Sequence, residues 1–335
     1  MARIFSGIQP TGIATLGNYL GALRNWVDLQ QGGDECIYCL VDLHAITTAQ
    51  DPAALREQTY SMAALLLACG IAPDRSILFH QSAVPAHVRL SWIFNCVARM
   101  GWLKRMTQFK DKAGKNQEEV STGLFVYPNL MAADILAYHA TKVPVGDDQL
   151  QHIELTNDIG EKFNHDYGVS FFPRVEALIL KETARVMSLR DGTKKMSKSD
   201  PSDQSRINMT DDADTIAQKI RRAKTDPNPL PDHLAALAER PEAKNLLGIF
   251  AAVSGESQEA LLARFAGSGF GPFKEKLADA LIAHIEPIAN RTRDYLADKG
   301  ELDMVLQAGA RRAAAIADPI VAEAEKIVGF LPGIH

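Results

Sequence analysis

The sequence predicts an α/β protein in which a parallel-sheet domain, interrupted by an inserted connecting segment, is followed by an all-helical domain. Up to about residue 200, short apolar strands alternate with amphipathic helices, the order typical of a parallel sheet with right-handed crossovers. Beyond residue 200 the strand-like runs stop and Ala-rich helical patterns replace them. The length of 335 residues, at roughly 100–200 residues per domain, fits more than one domain.

The first half of the predicted sheet has the order strand, helix, strand, helix, strand. Apolar residues from Leu16 to Val27 fall on one face of a helix. Asp51 and Pro52 supply the N-cap and first position of the next helix. The predicted strands are Arg3–Ser6, Cys36–Val41 and Ser76–Phe79.

A polar connecting segment is predicted at Trp102–Gln117, between the two halves of the sheet, as part of an insertion at about 103–140. The segment has one acidic residue, Asp111. Its basic residues are Lys104, Arg105, Lys110, Lys112 and Lys115. A loop rich in Gly, Lys and Ser follows at 191–200. The elements predicted between them are a helix at Tyr127–His139, a strand at Lys142–Val145, a helix at Asp147–Phe163, and short apolar stretches at Ala177–Leu180 and Arg185–Leu189.

We expect three units along the chain. Residues 1–200 form the sheet domain, residues 201–300 a helical domain, and residues 301–335 a C-terminal helix that packs back on the sheet domain. The predicted helices beyond residue 200 are Ala213–Ala223, His233–Leu237, Ala243–Val253, Gln258–Phe265, Phe273–Ala297 and Leu302–Val328.

Composition excludes several classes of protein. Hydrophobic residues make up 46% and charged residues 23%, which argues against wholesale disorder. The longest apolar run, near Met62–Ala72, is far shorter than the roughly 20 residues of a membrane helix. The N-terminus has no apolar h-region, and four cysteines do not make a disulfide framework. We therefore expect a cytoplasmic protein with reduced thiols and no membrane partner.

Net charge by itself argues weakly against a nucleic-acid partner, since the formal charge is −5. A phosphate backbone, however, needs local cations rather than a basic average. Two runs supply them: the segment 104–115, and the four residues Lys219, Arg221, Arg222 and Lys224. Each run is a candidate nucleic-acid contact, and each is equally well a solvated helix face.

The loop Lys195-Met196-Ser197-Lys198-Ser199 is the sharpest functional signal. Two lysines bracket small hydroxyl residues, which offers two point charges and several hydrogen-bond donors to a polyphosphate. Flexible lysine side chains can follow a phosphate whose charge moves as a bond breaks. A well-placed donor of this kind contributes roughly 10²–10³ in rate.

A glycine-rich loop, Gly7–Asn18, links the first strand to the first helix. It lies just outside the carboxyl end of that strand, where open α/β sheets bind nucleotides. Glycines let backbone N–H groups approach a ligand, and the helix N-terminus favours phosphate. The alternative is a structural glycine-rich turn.

Together these segments carry a family resemblance. Thr15-Leu16-Gly17-Asn18 stands where the HIGH tetrapeptide of class I aminoacyl-tRNA synthetases belongs, and the KMSKS pentamer is unaltered. The chain resembles that class, and within it the bacterial-type tryptophanyl-tRNA synthetases, which have TLGN in place of HIGH. Further segments that match this family are GIQPTG, VDLHAIT, YPNLMAADIL, VPVGDDQLQHIEL and SRINMTDDADTIAQKIRRAKTD.

The resemblance implies a Rossmann-like catalytic domain that activates tryptophan with ATP and passes the aminoacyl group to tRNA(Trp). Val186 is expected beside adenine, and a carboxylate of Asp147 or Asp148 beside the ribose hydroxyls. Lys195 and Lys198 are expected to bind the leaving pyrophosphate together with Mg²⁺. The implied catalytic residues are Gln9, Thr15, Asn18, Lys195 and Lys198. The implied ATP-binding residues are Gln9, Pro10, Thr11, Gly17, Asn18, Gly146, Asp147, Asp148, Val186, Lys195, Met196, Ser197, Lys198 and Ser199.

The resemblance also assigns tryptophan specificity to Asp134, a lone acid in an apolar helix. Its carboxylate is expected to accept the indole N–H, and a buried acceptor left unpaired by Phe would reject that substrate. Gln149 is expected to meet the α-amino group. The residues expected to line the apolar slot are Phe5, His44, Tyr127, Met131, Val143 and Val145. By their residue types alone, Asp134 could equally be a capping or surface carboxylate and His44 a core histidine.

Family members are homodimers, and the helical domain is expected to read the anticodon. Cys36-x-x-Cys39 invites a zinc interpretation, but no second CxxC accompanies it. Two thiols at odd spacing in a strand face opposite sides, so structural burial is favoured. We therefore expect no zinc. Some relatives of the family that the chain resembles hold an iron–sulfur cluster through C-terminal cysteines; since no cysteine follows Cys96 here, we expect no cluster.

Three alternative functions remain open from the sequence. A tyrosyl-tRNA synthetase shares the fold, and an Asp could meet a phenol. A nucleotidylyltransferase would adenylate a small acid without a tRNA role. A catalytically inactive RNA-binding paralogue is disfavoured because both loop lysines and Asp134 are present.

Overall fold

The structure is a computed structural model that describes residues 2–106, 120–146, 149–179, 186–198 and 200–331. Its centre is a five-stranded parallel sheet with the strand order β3-β2-β1-β4-β5. The predicted α/β class and parallel sheet are confirmed. The strands are β1 (Arg3–Ile8), β2 (Glu35–Leu40), β3 (Ser76–His80), β4 (Lys142–Val145) and β5 (Glu176–Ile179).

Helices surround the sheet. The first is continuous but mixed: it runs as Leu16–Asn18, a π-helical turn Tyr19–Leu23, and Arg24–Leu29, here together called α1. The remaining helices are α2 (Asp42–Ala45), α3 (Pro52–Cys69), α4 (Ala86–Val97), α5 (Met100–Leu103), α6 (Thr122–Leu136), α7 (Leu150–Tyr167), α8 (Ala213–Arg222), α9 (Pro241–Ser254), α10 (Gln258–Phe265), α11 (Phe270–Ala297) and α12 (Lys299–Ile327).

Strand order reverses between β1 and β4, since β2 and β3 lie on one side of β1 while β4 and β5 lie on the other. All five strands are parallel, so their carboxyl ends meet at one edge of the sheet. In open sheets of this kind, the crevice at such a switch point is where ligands bind.

Each face of the sheet carries its own apolar cluster, and alternate residues of β2 contribute to each. Cys36 and Tyr38 lie in one cluster with α1, α3 and α11, whereas Ile37 and Cys39 lie in the other with α4, α6 and α12. Both cysteines of the CxxC are buried thiols on opposite faces. The preference for structural burial is therefore confirmed.

The cluster on the α1 face also contains side chains from α8, α9, α10 and α11, so apolar packing continues across residue 200. Helix α12 lies against β3, so closely that a Cβ at Gly309 would overlap the Leu78 carbonyl. The proposed division at residues 200 and 300 stays a prediction.

Several helices differ from the sequence prediction; the short helices α2 and α5, for example, were not predicted. Helix α4 was not predicted, and α6 begins at Thr122, five residues before its predicted start, because Ser121 caps it by accepting a hydrogen bond from the Leu124 N–H. Within the predicted insertion, residues 107–119, and hence Lys110, Asp111, Lys112 and Lys115, lie outside the described residues. The later part of that insertion is α6 itself, a core helix packed on α4 and α7.

Among the described residues, no helix combines the length and the apolar character that crossing a bilayer requires.

Candidate active site

The Gly-rich loop after β1 and the start of α1 lie at the carboxyl edge of the sheet. Thr15 and Asn18 form a reciprocal cap at the helix start: the Asn18 N–H donates to Thr15 Oγ1 (3.3 Å), and the Thr15 N–H donates to Asn18 Oδ1 (3.0 Å). The Thr15 hydroxyl also donates to Asn18 Oδ1 (3.1 Å). The two predicted catalytic residues are therefore hydrogen-bonded to each other, and this cap fixes the backbone of the TLGN segment.

A strand-like segment from beyond residue 200 braces the same turn. The Leu16 N–H donates to the Ile207 carbonyl (2.8 Å), and the Met209 N–H donates to the Ala14 carbonyl (2.9 Å). The TLGN segment is thus held on one side by its own cap and on the other by the segment around Ile207.

The lysine loop lies against the TLGN segment. The stretch that begins at Val186 pairs with the start of the KMSKS pentamer, since the Ser188 N–H donates to the Lys194 carbonyl (2.7 Å) and the Met196 N–H to the Val186 carbonyl (3.1 Å). A Cβ at Gly17 would lie 3.6 Å from the Cβ atoms of both Met196 and Val186. The two segments that the resemblance assigns to ATP are therefore neighbours, with buried Val186 and Met196 side chains between them.

The two signature lysines have different surroundings. Lys195 is exposed, whereas Lys198 is half-buried and its Nζ donates to the Thr11 carbonyl (3.2 Å). Burial lowers the pKa of Lys198 from its ordinary value of 10.5. Lys198 therefore reaches the loop after β1 from the opposite side of the crevice, where it can meet an anion bound between them.

The base of the lysine loop is anchored to the helical part of the chain. A Cβ at Gly192 would lie 2.6 Å from the backbone nitrogen of Glu242, at the start of α9. Position 192 therefore has no room for a side chain. Lys224 pairs with Glu242 (2.7 Å), and its backbone N–H donates to the Leu189 carbonyl (2.8 Å). The position of Lys195 and Lys198 is thus tied to α9 as well as to the sheet.

Asp134 lies on the other face of the sheet, on α6, in a fully buried polar network. His44 Nε2 lies 2.7 Å from its Oδ2, while Gln81 Nε2 donates to Oδ1 at 2.5 Å and His87 Nδ1 lies 2.7 Å from the same oxygen. His87 continues to the Tyr138 hydroxyl through its Nε2 (2.7 Å). Asp134 is 1% exposed, so it is not a surface carboxylate, and His44 is one of its direct partners.

The charge of Asp134 follows from these partners. Burial alone would raise the pKa of this carboxyl, but the charge and hydrogen bond of His44 and the hydrogen bond of His87 lower it, and the net direction is downward. The carboxylate is ionised at neutral pH and can only accept hydrogen bonds.

The residues predicted to line the apolar slot lie on the same face of the sheet as α6. Phe5, Val143 and Val145 belong to the same cluster as α6, with Met131 packed against it. Tyr127 meets the His44 ring edge-on, with ring centroids 6.0 Å apart. Its hydroxyl lies 3.0 Å from His152 Nε2, and burial raises the pKa of Tyr127 to about 12.

The remaining predicted residues lie along the same edge or outside the described residues. Gln9 and Thr11 are half-buried and Pro10 is buried in the loop after β1, while Ser197 is exposed. Exposed Gly146 follows β4, and its carbonyl accepts from the N–H of Gln149, the N-cap of α7. Asp147, Asp148 and Ser199 lie outside the described residues.

Gln81, His87 and Tyr138 were missed by the sequence analysis. Gln81 directly follows β3 at the carboxyl edge, which is the positional signal that could have found it. His87 sits in α4, the helix that was not predicted, and Tyr138 lies just past the end of α6.

One candidate nucleic-acid contact is wrong. Lys219 is fully buried, with its Nζ 2.6 Å from Asp211 and 2.7 Å from Asp203. It is a structural ion pair and is not available to phosphates. Arg221 and Arg222 of the same run are exposed, and Lys224 is paired with Glu242.

Comparison with known proteins places this arrangement in a family. The family model for class I tRNA synthetases of tryptophan and tyrosine (W and Y) matches residues 1–286. A tryptophan–tRNA ligase of Caulobacter vibrioides is 56% identical over 329 residues, which cover 98% of this chain and 95% of that protein. The crystal structure of tryptophanyl-tRNA synthetase from Mycoplasma pneumoniae superposes with a TM-score of 0.87 at 32% identity, covering 99% of this chain and 98% of that one. The Campylobacter jejuni enzyme, solved in complex with ADP and tryptophan, gives a TM-score of 0.84 at 32% identity, covering 98% of this chain and 100% of that one. The chain therefore belongs to the class I tRNA synthetases of the tryptophan and tyrosine group.

Proposed function

We propose that this chain is a tryptophan–tRNA ligase, which forms tryptophanyl-adenylate and pyrophosphate from tryptophan and ATP and then transfers tryptophan to tRNA(Trp). The observation that carries the proposal is the buried, ionised carboxylate of Asp134, which is hydrogen-bonded to His44 and Gln81 where the chain leaves β2 and β3 at the carboxyl edge of the sheet. A carboxylate that only accepts hydrogen bonds suits a flat apolar ring with one N–H donor. The ADP and tryptophan of the Campylobacter jejuni structure support the same pair of substrates.

Activation needs no nucleophile from the protein, because the substrate carboxylate itself attacks the α-phosphorus of ATP and pyrophosphate leaves. Lys195 and Lys198 stabilise the charge on the leaving phosphates, and the braced TLGN segment holds the nucleotide in place. Catalysis is then positioning together with electrostatic stabilisation. ATP enters as its magnesium complex, and in the described part of the chain no group of three His, Cys, Asp or Glu side chains is arranged to hold a metal ion.

Tyrosine is the alternative substrate, because the matching family model covers both amino acids. The relatives that match with 50–56% identity over 98% of this chain are tryptophan ligases, which favours tryptophan. A nucleotidylyltransferase without a tRNA role is disfavoured, because the match to the ligases covers the helical part of the chain as well.

We also propose a homodimer, formed through exposed apolar side chains of α4 and α5. Val88 and Trp92 are 53% and 65% exposed and lie one turn apart on α4, and Met100, 60% exposed, begins α5. Exposed apolar side chains of this kind are typical of a surface covered by another protein. The homodimers of the family that the chain resembles support a second copy as the occupant. A cytoplasmic location stays a prediction.

ATP–pyrophosphate exchange with Trp, Tyr and Phe tests the function. We expect exchange with Trp alone, and a loss of roughly 10²-fold in kcat/KM for Trp in Asp134→Asn, since a hydrogen bond to a charged group is lost and a second N–H now faces the indole. Asp232→Asn changes an exposed carboxylate in a loop of the helical part and serves as the control. Exchange with Tyr would move the assignment to the tyrosine enzyme. Exchange with Trp but no charging of tRNA would favour the nucleotidylyltransferase.

A further inference from the structure

The oxygens of Asp134 are unequally used. Oδ1 accepts from both Gln81 and His87, whereas among the described residues Oδ2 accepts from His44 alone. A carboxylate oxygen has two lone-pair directions. Oδ1 is therefore filled, and the remaining acceptor direction of Asp134 is on Oδ2.

His87 is held between two hydrogen-bonding neighbours. Because the Asp134 carboxylate only accepts, the His87 nitrogen that faces it, Nδ1, donates to it. The other nitrogen, Nε2, lies 2.7 Å from the Tyr138 hydroxyl. The Phe5 and Phe79 rings lie 6.5 Å and 5.8 Å from the His87 ring centroid and restrict its rotation.

Gln81 is held in one orientation by the carboxylate alone. Its Nε2 donates to Asp134 Oδ1, while its Oε1 is buried without a hydrogen-bond partner among the described residues. If the amide were flipped, Gln81 Oε1 would face the Asp134 carboxylate and repel it. Leaving Oε1 without a hydrogen bond therefore costs less free energy than this repulsion. A fully buried glutamine that leaves one end unpaired to serve Asp134 points to a positioning role.

We propose that Gln81 and His87 are positioning residues for substrate selection: they fill Oδ1 and rotate the carboxylate of Asp134 so that Oδ2 presents its free acceptor direction to the indole N–H. This inference rests on the proposed function, because it requires the contact between Asp134 and the indole. Two consequences follow from it. Loss of either donor lets the carboxylate rotate, and it raises the pKa of Asp134, since a hydrogen bond to the charged form disappears.

The test compares tryptophan with the analogue in which sulfur replaces the indole N–H (a benzothienyl-alanine). In wild type, kcat/KM in pyrophosphate exchange should favour tryptophan roughly 10- to 100-fold, the usual effect of one charge-assisted hydrogen bond. In Gln81→Met, which has similar length and no donor, this preference should fall about tenfold. The KM for tryptophan should also begin to rise at a higher pH on the acid side than in wild type.

Two further variants keep the test decisive. Tyr138→Phe leaves Gln81 and His87 in place but removes the hydrogen-bond partner of His87 Nε2, so it should reduce the same preference by a smaller factor. Gln307→Met changes an exposed glutamine of α12 and should leave both the preference and the pH profile unchanged. Tyr138→Phe replaces Gln81→Met in the comparison if the latter does not fold.

The outcomes separate the two claims. A wild type that does not distinguish tryptophan from the sulfur analogue overturns the contact between Asp134 and the indole, and with it the proposed selection. The second outcome is a wild type that distinguishes the two substrates. If Gln81→Met and Tyr138→Phe then keep the wild-type preference for tryptophan and the wild-type pH dependence of KM, Gln81 and His87 serve only the packing of α6.

Discussion

The side-chain amide of Asn245 pairs with the backbone of Met187 as a neighbouring strand would. The Met187 N–H donates to Asn245 Oδ1 (2.8 Å), and Asn245 Nδ2 donates back to the Met187 carbonyl (3.0 Å). Asn245 is 7% exposed and sits on α9, while Met187 begins the hairpin that ends in Lys195 and Lys198. One amide thus joins the base of the lysine loop to the helical part of the chain.

We expect Asn245→Ala to raise the KM for ATP in pyrophosphate exchange about tenfold, with tryptophan binding unchanged. Two buried hydrogen bonds are lost, each contributing about 1 kcal/mol, and the loop then holds its lysines less precisely. Steady-state exchange with ATP varied at saturating tryptophan measures the effect. The matched control is Asn25→Ala, which removes an exposed bond from an asparagine to a backbone carbonyl on α1. An unchanged KM for ATP would mean that Glu242 and Lys224 anchor the loop without Asn245.

The pKa of Lys198 predicts an alkaline limit to activity. Because burial lowers the pKa of this amine below 10.5, Lys198 loses its positive charge at a lower pH than an exposed lysine. The kcat/KM for ATP, which reports the free enzyme, should therefore fall as pH rises through this lowered pKa. Lys198→Arg keeps its charge and should move the alkaline fall to higher pH, whereas exposed Lys194→Arg should leave it in place. A fall that stays at the same pH in Lys198→Arg would assign it to another group.

Lys219 predicts a large loss of stability from a single substitution. Asp211 is nearly buried, and Lys219→Ala removes its cationic partner. We expect a decrease of about 3 kcal/mol in the free energy of unfolding. The hydrogen bond from Lys219 also lowers the pKa of Asp203, so part of this stability is present at neutral pH and is lost as pH falls through that lowered pKa. Denaturant unfolding at pH 7 measures the change. Lys276→Ala, which breaks an exposed pair with Asp279, should cost less than about 0.5 kcal/mol; equal losses would contradict a special role for burial.

The strands were predictable because a parallel sheet buries both faces, so each strand is a short continuous apolar run. Cys36–Val41 was predicted and Glu35–Leu40 is observed. Helix α4 could not be predicted in the same way. Its exposed Val88 and Trp92 break the amphipathic pattern, because the sequence of one chain does not show what covers an exposed apolar face.

Some site residues can be predicted from a local sequence motif, whereas others can be found only from the three-dimensional fold. The lysine loop and Asp134 are recognisable from local motifs. The burial of Lys219 is not, because its partners Asp203 and Asp211 precede α8 and lie outside the run KIRRAK, which by itself has the composition of an exposed basic face. Gln81 and His87 become visible only when β3 and α6 are placed side by side, which a motif does not provide.

Trp92 predicts the oligomeric state. Trp92→Glu places a charge in the proposed dimer contact, between Val88 and Met100. It should weaken self-association about 100-fold, the effect expected at a central aromatic contact. Sedimentation velocity over a range of concentrations measures the dimer–monomer equilibrium. Met304→Glu alters an equally exposed apolar residue, 66% exposed on α12, and should leave the equilibrium unchanged. A Trp92→Glu protein that associates as wild type does would show that the copies meet elsewhere.

Arg221 and Arg222 predict where the helical part contacts tRNA. Both are exposed at the end of α8, whereas Lys219 beside them is committed to its ion pairs. In the double variant Arg221→Gln/Arg222→Gln, two phosphate contacts should be lost, so the KM for tRNA in aminoacylation rises and the slope of log affinity against log salt decreases by about 2. Pyrophosphate exchange, measured without tRNA, should be unaffected because α8 does not contact the substrate crevice in this proposal. The double variant Arg311→Gln/Lys326→Gln, on α12, removes the same two positive charges and controls for the change in net charge. If the double variant and this control give the same salt slope as wild type, the basic run is a solvated helix face and the tRNA lies against another surface.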